Sequence, residues 1–440
     1  MSEIHAETAY VRTEMLPEQT PPITAAGPVK WMRENLFSSW LNAILTIVSV
    51  FVIYYVLSGI LPWMVNGIWD AGSLSECREI RDARGGSGEH GEGVACWAVL
   101  GDRWHQLMFG FYPSELYWRP ILSFAIFLLA LAPVLFDTLP RKMFILTAAA
   151  PFVCAWLLWG GTIWGPIAIA LGFVIGWAVY KFGVPAIGTL GATIGAIVVP
   201  ILYWLFVAGP VAGGLSGILP IGIEAVPSDD FGGFLLAFVI GASGIILSMP
   251  LGIILALGRQ SDLFIINKFS VIFIEVIRGV PLIVWLFTAS LLLNYFLPPG
   301  TNFDLMLRVI IMVTLFSSAY IAEVIRGGLA ALPRGQYEGA DSLGLNYWQS
   351  MQLIILPQAL KISIPGIVSS FIGLFKDTVL VVFVGLSDPI GFSNLIRATT
   401  DWNGIYWELF IFIGLCFFIC CYGMSRYSQW LERKLRTDHR

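Results

Sequence analysis

The sequence predicts an all-α polytopic membrane protein with about ten transmembrane helices. Three observations carry that expectation. Of 440 residues, 57% are hydrophobic and 12% are charged, whereas roughly a quarter of a soluble domain is charged. The apolar stretches are continuous and long enough to cross a bilayer as helices. They lack the short alternating period of barrel strands. This balance excludes an ordinary soluble enzyme and a disordered chain. Six cysteines in 440 residues also exclude a disulfide-built secreted module. The net charge of −4, without a basic stripe, gives no reason to expect nucleic acid as a partner.

The elements follow in order. Residues 1–36 read as a cytoplasmic tail, since the first 30 carry acids and prolines but no apolar signal core. Ten spans are expected at 37–57, 119–138, 143–160, 163–181, 184–208, 233–257, 270–296, 305–325, 364–384 and 406–425. The third and fourth are parted by a short turn at Gly160, Gly161 and Thr162, and the fifth follows through Lys181 and Gly183. Residues 431–440 form a second cytoplasmic tail. With the N-terminus inside, 16 of the 25 Lys and Arg residues fall in inner loops and five in outer loops. That bias places both termini in the cytoplasm.

The long outer loop, 58–118, carries Cys77 and Cys96. Both face an oxidising compartment. A disulfide contributing ~3 kcal/mol and two separate thiols are both open. Cys154, Cys416, Cys420 and Cys421 lie in apolar spans and read as packing residues. No cysteine or histidine pattern has metal-site spacing.

The two parts of the chain differ in character. An extension over 37–226, with about five spans, is nearly free of charge inside its spans. The part after the Val226-Pro227-Ser228-Asp229-Asp230 boundary carries Glu275, Arg278, Arg308, Glu323, Lys376, Asp377 and Glu408 within spans. Charge inside a membrane is costly and marks function by default. Glu275-Val276-Ile277-Arg278-Gly279 recurs as Glu323-Val324-Ile325-Arg326-Gly327. The Glu and Arg of each copy are three residues apart and can pair on one helix face. They form either structural ion pairs or a charged cytoplasmic gate. Lys376 and Asp377 fall about 13 residues into their expected span, near mid-membrane at ~1.5 Å per residue. They serve a pathway for a zwitterionic solute or pair with other buried groups. Ser317, Ser318 and Tyr320 are further candidate polar contacts on the pathway, although serines often bond their own helix.

The inner loop between Arg326 and Lys361 is longer than a simple connection requires. Pro333 suits a helix start. Residues 337–342 and 346–356 look helical, Gly344 permits a tight turn, and Pro357 breaks or bends the second run. Two short helices meeting at a glycine make a docking knob on the cytosolic face.

Here the sequence resembles a known family. Glu338-Gly339-Ala340, Gly344 and Ile354-x-Leu356-Pro357 keep the spacing of the EAA loop of binding-protein-dependent ABC importer permeases. The single departure is Gly339 in place of Ala. Phe273–Leu282, Ala319–Gly327 and Leu374–Thr378 resemble further motifs of the polar amino acid (histidine/glutamine/arginine type) permeases. The extension resembles the large permease subunit of the general L-amino acid importers. The resemblance implies a type I ABC importer permease core over 227–430, preceded by an extra helical region, with the coupling loop at 333–357.

The implied activity is passage of L-amino acids across the bacterial inner membrane. The implied partners are a second permease forming a heterodimer, a cytosolic ABC ATPase dimer that binds ATP and Mg, a periplasmic amino-acid-binding protein, and membrane lipid. No cofactor is expected on this chain, which lacks a G-x-x-x-x-G-K-[ST] loop. An ion-coupled secondary transporter is the alternative, but it has no use for such a cytosolic loop. A membrane-embedded enzyme lacks a nucleophile beside its charged cluster.

Overall fold

The computed structural model describes residues 27–84, 93–292 and 304–435. The first 26 residues of the expected tail, the Gly85–Gly88 stretch, the end of the expected span 270–296 and residues 436–440 lie outside the described residues. Among the described residues the regular structure is helical apart from one two-residue antiparallel pair, β1 (Gly161–Thr162) with β2 (Gly222–Ile223), and two isolated bridges.

Backbone contacts divide the chain into two units, one of residues 1–68 and 78–96 and one of 69–77 and 97–440. The first unit contains α1 (Gly27–Asn35) and α2 (Trp40–Val65). Ser39 caps α2 by accepting the Asn42 N–H. None of the residues of α2 is buried; uniform apolarity all round suits a helix that crosses lipid. α3 (Leu74–Ala83) straddles the division.

The second unit holds α4 (Ala98–Phe109), α5 (Trp118–Leu135), α6 (Phe144–Trp159), α7 (Trp164–Phe206), α8 (Ala208–Ile218), α9 (Gly233–Arg259), α10 (Phe264–Gly279) and α11 (Leu282–Phe287). It continues with α12 (Leu305–Ala330), α13 (Arg334–Ser342), α14 (Tyr347–Ser350), α15 (Leu356–Asp377), α16 (Pro389–Arg397) and α17 (Trp407–Leu435). Among the described residues, eight helices are long and apolar enough to cross a membrane, or ten if each of two bent pairs counts as one span.

Four of the expected spans differ in the structure. The expected pair 163–181 and 184–208 is α7, which turns at Gly188 (φ 72°) rather than at 181–183. Its arms fold back on each other: Gly172 lies against Trp204 and Gly183 against Ala192, and the Trp204 indole N–H donates to the Ile169 carbonyl at 3.0 Å. The expected span 270–296 is broken. α10 ends at Gly279, Pro281 precedes α11, and the two segments meet at a bend of 102°. A residue before proline disfavours the α region, which ends the helix there. The expected span 364–384 begins earlier, as α15, and gives way after Asp377 to a 3₁₀ segment, Thr378–Val384. Lys376 and Asp377 therefore sit at a helix end, not in the middle of a continuous helix.

The core is built on α9, α12 and α15. Ile274, Ile321, Ile325, Leu329 and Ile355 form one buried cluster, and Leu236, Ile240, Leu286, Val309 and Val313 another. Close approach needs small residues where lipid supplies no hydrophobic drive. A Cβ on Gly328 would lie 2.5 Å from the Ala359 carbonyl oxygen, so α12 and α15 touch through backbone there.

The packing does not break at residue 226. Tyr112 and Leu158 join Phe231 and Leu236 in one cluster, and the Tyr112 hydroxyl donates to the Leu158 carbonyl at 2.9 Å. Buried Arg119 donates to the Glu224 carbonyl at 2.6 Å, and the Trp402 indole donates to Asp102 at 2.7 Å.

Candidate functional site

The docking knob is ordered as a two-helix unit. Pro333 precedes α13, its extended backbone starting the helix without a needed N–H. Gly344 (φ 70°) makes the turn, in a region that side chains rarely adopt. Asn346 and Gln349 form a reciprocal capping box at the start of α14. The N-x-x-Q spacing was readable in the sequence, although the motif expectation did not use it. The second run is not broken at Pro357. It continues into α15, with Pro357 in the first turn and the irregularity at the π turn Met351–Ile355 directly before it.

The knob is also anchored. Ala340, Met351 and Ile355 are buried, with Tyr337, Ile354 and Leu356 packed against the same cluster as Leu329. The Gln358 amide donates to Gln336 at 2.9 Å, tying α15 to α13. Glu338 and Gly339 are exposed on the opposite side. The Glu338 carboxylate has no hydrogen bond or ion pair among the described residues; only its backbone carbonyl is used, by Ser342. Leu343 and Trp348, flanking Gly344, are 73% and 70% exposed.

No atom lies within 4 Å of a Cβ built on Gly339. Gly339→Ala is therefore expected to keep transport and to stabilise α13 by about 0.5–1 kcal/mol, read as a raised midpoint in thermal unfolding of the purified protein. A fall in either quantity would show that the glycine is required.

The charged candidates converge, but not in the pairs their spacing suggested. Glu323 pairs with Arg326 on its own helix, through Nε at 3.0 Å and Nη2 at 2.5 Å. Glu275 does not pair with Arg278. It is bound by Arg259 at 2.9 Å, whose Nη1 also reaches Glu323 at 3.2 Å. Arg278 approaches Glu323 at 3.8 Å and lies over the Tyr320 ring, 5.4 Å from its centroid. Three helices, α9, α10 and α12, thus meet at Glu323. Arg259 was missed because a lone cation at a helix end reads only as topology. The Asn267 amide, which donates to the Arg259 carbonyl at 2.5 Å, fixes the end of α9.

The pathway candidates divide. Ser318 is fully buried, and its hydroxyl donates to the Leu315 carbonyl at 2.7 Å on its own helix. Ser317 is also buried. Tyr320 is partly open and lies beside the arginine cluster. Lys376 is exposed, Asp377 is half-buried, and neither has a salt-bridge partner among the described residues. Cys77 and Cys96 are both buried and both disulfide-bonded, whereas Cys154, Cys416, Cys420 and Cys421 are free thiols.

Sequence reasoning gave no role to Asp388. It caps α16 by accepting the Gly391 N–H at 2.8 Å, is fully buried, and has a second carboxylate oxygen without a partner among the described residues. Desolvation raises its pKa from 3.8 to about 6. A carboxyl whose folded pKa is raised stabilises the fold fully below the unfolded value and loses that contribution as pH rises through about 6. Asp388→Asn keeps the cap acceptor and removes the ionisation. It is expected to raise stability at pH 7.5 by about 2 kcal/mol and to flatten the thermal-stability profile between the two pKa values, 3.8 and about 6. An unchanged slope would assign that slope to other groups.

Residues 248–437 match the family model described as binding-protein-dependent transport system inner membrane component. The chain is 57% identical over 437 residues to the glutamate/glutamine/aspartate/asparagine transport system permease protein BztC of Rhodobacter capsulatus, covering 99% of this chain and all of that protein. It is 37% identical over 411 residues to the inner membrane amino-acid ABC transporter permease protein YhdY of Escherichia coli, covering 92% and 93% of the two chains. A solved amino acid ABC transporter crystallised with histidines is 30% identical over 46% of this chain and 91% of its own, with a TM-score of 0.41.

Proposed function

The chain belongs to the family of binding-protein-dependent transport system inner membrane components, among the amino-acid ABC transporter permeases, and from that premise we propose how it works. It is a translocation subunit, not an enzyme, and a multi-pass protein of the inner membrane. In the proposed arrangement both termini are cytoplasmic. A second permease completes the pathway, a periplasmic binding protein delivers the amino acid, and an ATPase dimer holding ATP and Mg docks at 333–357.

The exposed, anchored knob carries this reading. A coupling element must transmit force, and a capped two-helix unit buried on one side does so where a floppy loop would not. Glu338 supplies a free charge at its tip, and Leu343 and Trp348 supply apolar anchors of the kind that dominate interfaces. Motion of the knob passes into α12 and α15 and then to the Glu323 cluster, which we assign as the cytoplasmic gate. Tyr320, Lys376 and Asp377 are retained as pathway residues; Ser318 is set aside because its hydroxyl is spent on its own helix. The division at 226/227 is kept as functional: extension before, translocation core after. The relative named for glutamate, glutamine, aspartate and asparagine suggests acidic and amide amino acids as the cargo.

The test is purification of the tagged chain from its native host in mild detergent. Co-purification of a second EAA-bearing permease and a P-loop ATPase, with ATP-dependent uptake on reconstitution, is the expected result. A chain that runs alone, with uptake following an ion gradient, would replace this reading with a secondary transporter.

A further inference from the structure

A cavity of about 430 Å³ lies between the α5–α6 hairpin of the extension and α9 of the core. Each helix gives it one continuous stripe: Pro120 to Val134 on α5, Thr147 to Trp159 on α6, and Leu235 to Ile246 on α9. On α5 the stripe runs 15 residues from Pro120 to Val134, a rise of about 21 Å, against a hydrocarbon thickness of about 30 Å. The hairpin touches α9 through a ring contact, with Phe124 and Phe238 centroids 5.3 Å apart.

No lining side chain is charged. Two of the polar ones are already satisfied, since the Thr147 hydroxyl donates to the Ala130 carbonyl at 2.7 Å and the Cys154 thiol to the Ser123 carbonyl at 3.5 Å. The groove therefore suits a hydrocarbon chain and offers little to water, which needs several polar partners. Beyond its inner end the chain turns cationic. Arg141 and Lys142 form the exposed turn before α6, five or six residues ahead of Thr147, and neither has an ion-pair partner among the described residues. The nearby acid, Asp137, is taken up by Lys434 at 2.7 Å, and that contact holds its pKa below the ordinary carboxylate value.

We propose that this groove is a structural lipid site: an anionic phospholipid of the cytoplasmic leaflet places one acyl chain between the α5–α6 hairpin and α9, with its phosphate against Arg141 and Lys142. The lipid joins extension to core where side chains leave a gap. The assignment rests on the proposed orientation with cytoplasmic termini, and it goes beyond the transport reading.

The test uses the full chain with its co-purifying partners in vesicles doped with phosphatidylglycerol bearing a diazirine on one acyl chain. Photolysis is expected to label peptides of α5, α6 and α9 within the cavity. Ala150→Phe and Ala242→Phe, each filling the groove from a different helix, should lose that label. Arg141→Gln with Lys142→Gln leaves the groove intact and should weaken phosphatidylglycerol relative to phosphatidylcholine on the order of 30-fold, about 1 kcal/mol per charge. No label in the wild type, label indifferent to both groove fillers, or equal labelling by both headgroups overturns the proposal. So does chemical crosslinking of Cys154 to a neighbouring protein helix, which would make the groove a subunit contact. Uptake measured in the same vesicles reports on the transport reading separately.

Discussion

Glu338→Arg is expected to abolish ATP-driven amino acid uptake while leaving the chain inserted and folded. The side chain is exposed, and among the described residues its carboxylate bonds to nothing. Its removal therefore costs the permease little, because surface substitutions away from special features usually change stability by under about 0.5 kcal/mol. The cost falls on the partner. A site shaped for an anion would meet a cation, and a like-charge or unpaired contact at an interface costs several kcal/mol. About 3 kcal/mol corresponds to roughly a 100-fold loss of productive docking. Glu338→Gln, which keeps shape and loses charge, should fall between the two. The measurement is uptake in reconstituted vesicles, with ATPase retention on a tagged column as a second readout. Normal uptake would remove Glu338 from the coupling contact, and loss of the protein from the membrane would make its role structural.

The parts of this molecule that sequence reveals are those governed by local chemistry. Continuous apolarity fixes which segments are spans, because each must satisfy its own backbone in lipid. The knob is legible for the same reason: Pro333, Gly344 and the Asn346–Gln349 spacing each act within one turn. What stays hidden depends on how helices rotate and cross. The repeated Glu-x-x-Arg pattern permits two pairs within helices, yet only Glu323–Arg326 forms. Glu275 turns instead to Arg259, sixteen residues earlier on another helix. The helix-end position of Lys376 and Asp377 is hidden because a hydropathy window starts where polar residues end, whereas α15 starts at Leu356, directly after the π turn, and ends at Asp377. The 102° break at Pro281 was written in Gly279-Val280-Pro281, but the apolar run on both sides masked it.

Glu323 is the second position where a single change should have a large effect. Its two oxygens receive Arg326, Arg259 and Arg278, and its side chain is 23% exposed. Glu275 shares only Arg259 and is 55% exposed. Removing Glu323 leaves three guanidinium groups around one remaining acid. Breaking a buried pair costs 3–5 kcal/mol. Partial exposure reduces this to about 2 kcal/mol, whereas Glu275→Gln should cost under about 1 kcal/mol. Thermal unfolding of Glu323→Gln and Glu275→Gln tests that order. Stability alone does not separate a gate from a clamp, but the ratio of uptake to ATP hydrolysis does. If Glu323 holds the cytoplasmic ends of α9, α10 and α12 together in one transport state, its loss lets the ATPase cycle without closing the path. Uptake should then fall about 10-fold, the loss of about 1.4 kcal/mol of coupling, while hydrolysis by the partner continues. If the cluster only supports the fold, both activities should decline together with the amount of folded protein, and the gate assignment fails.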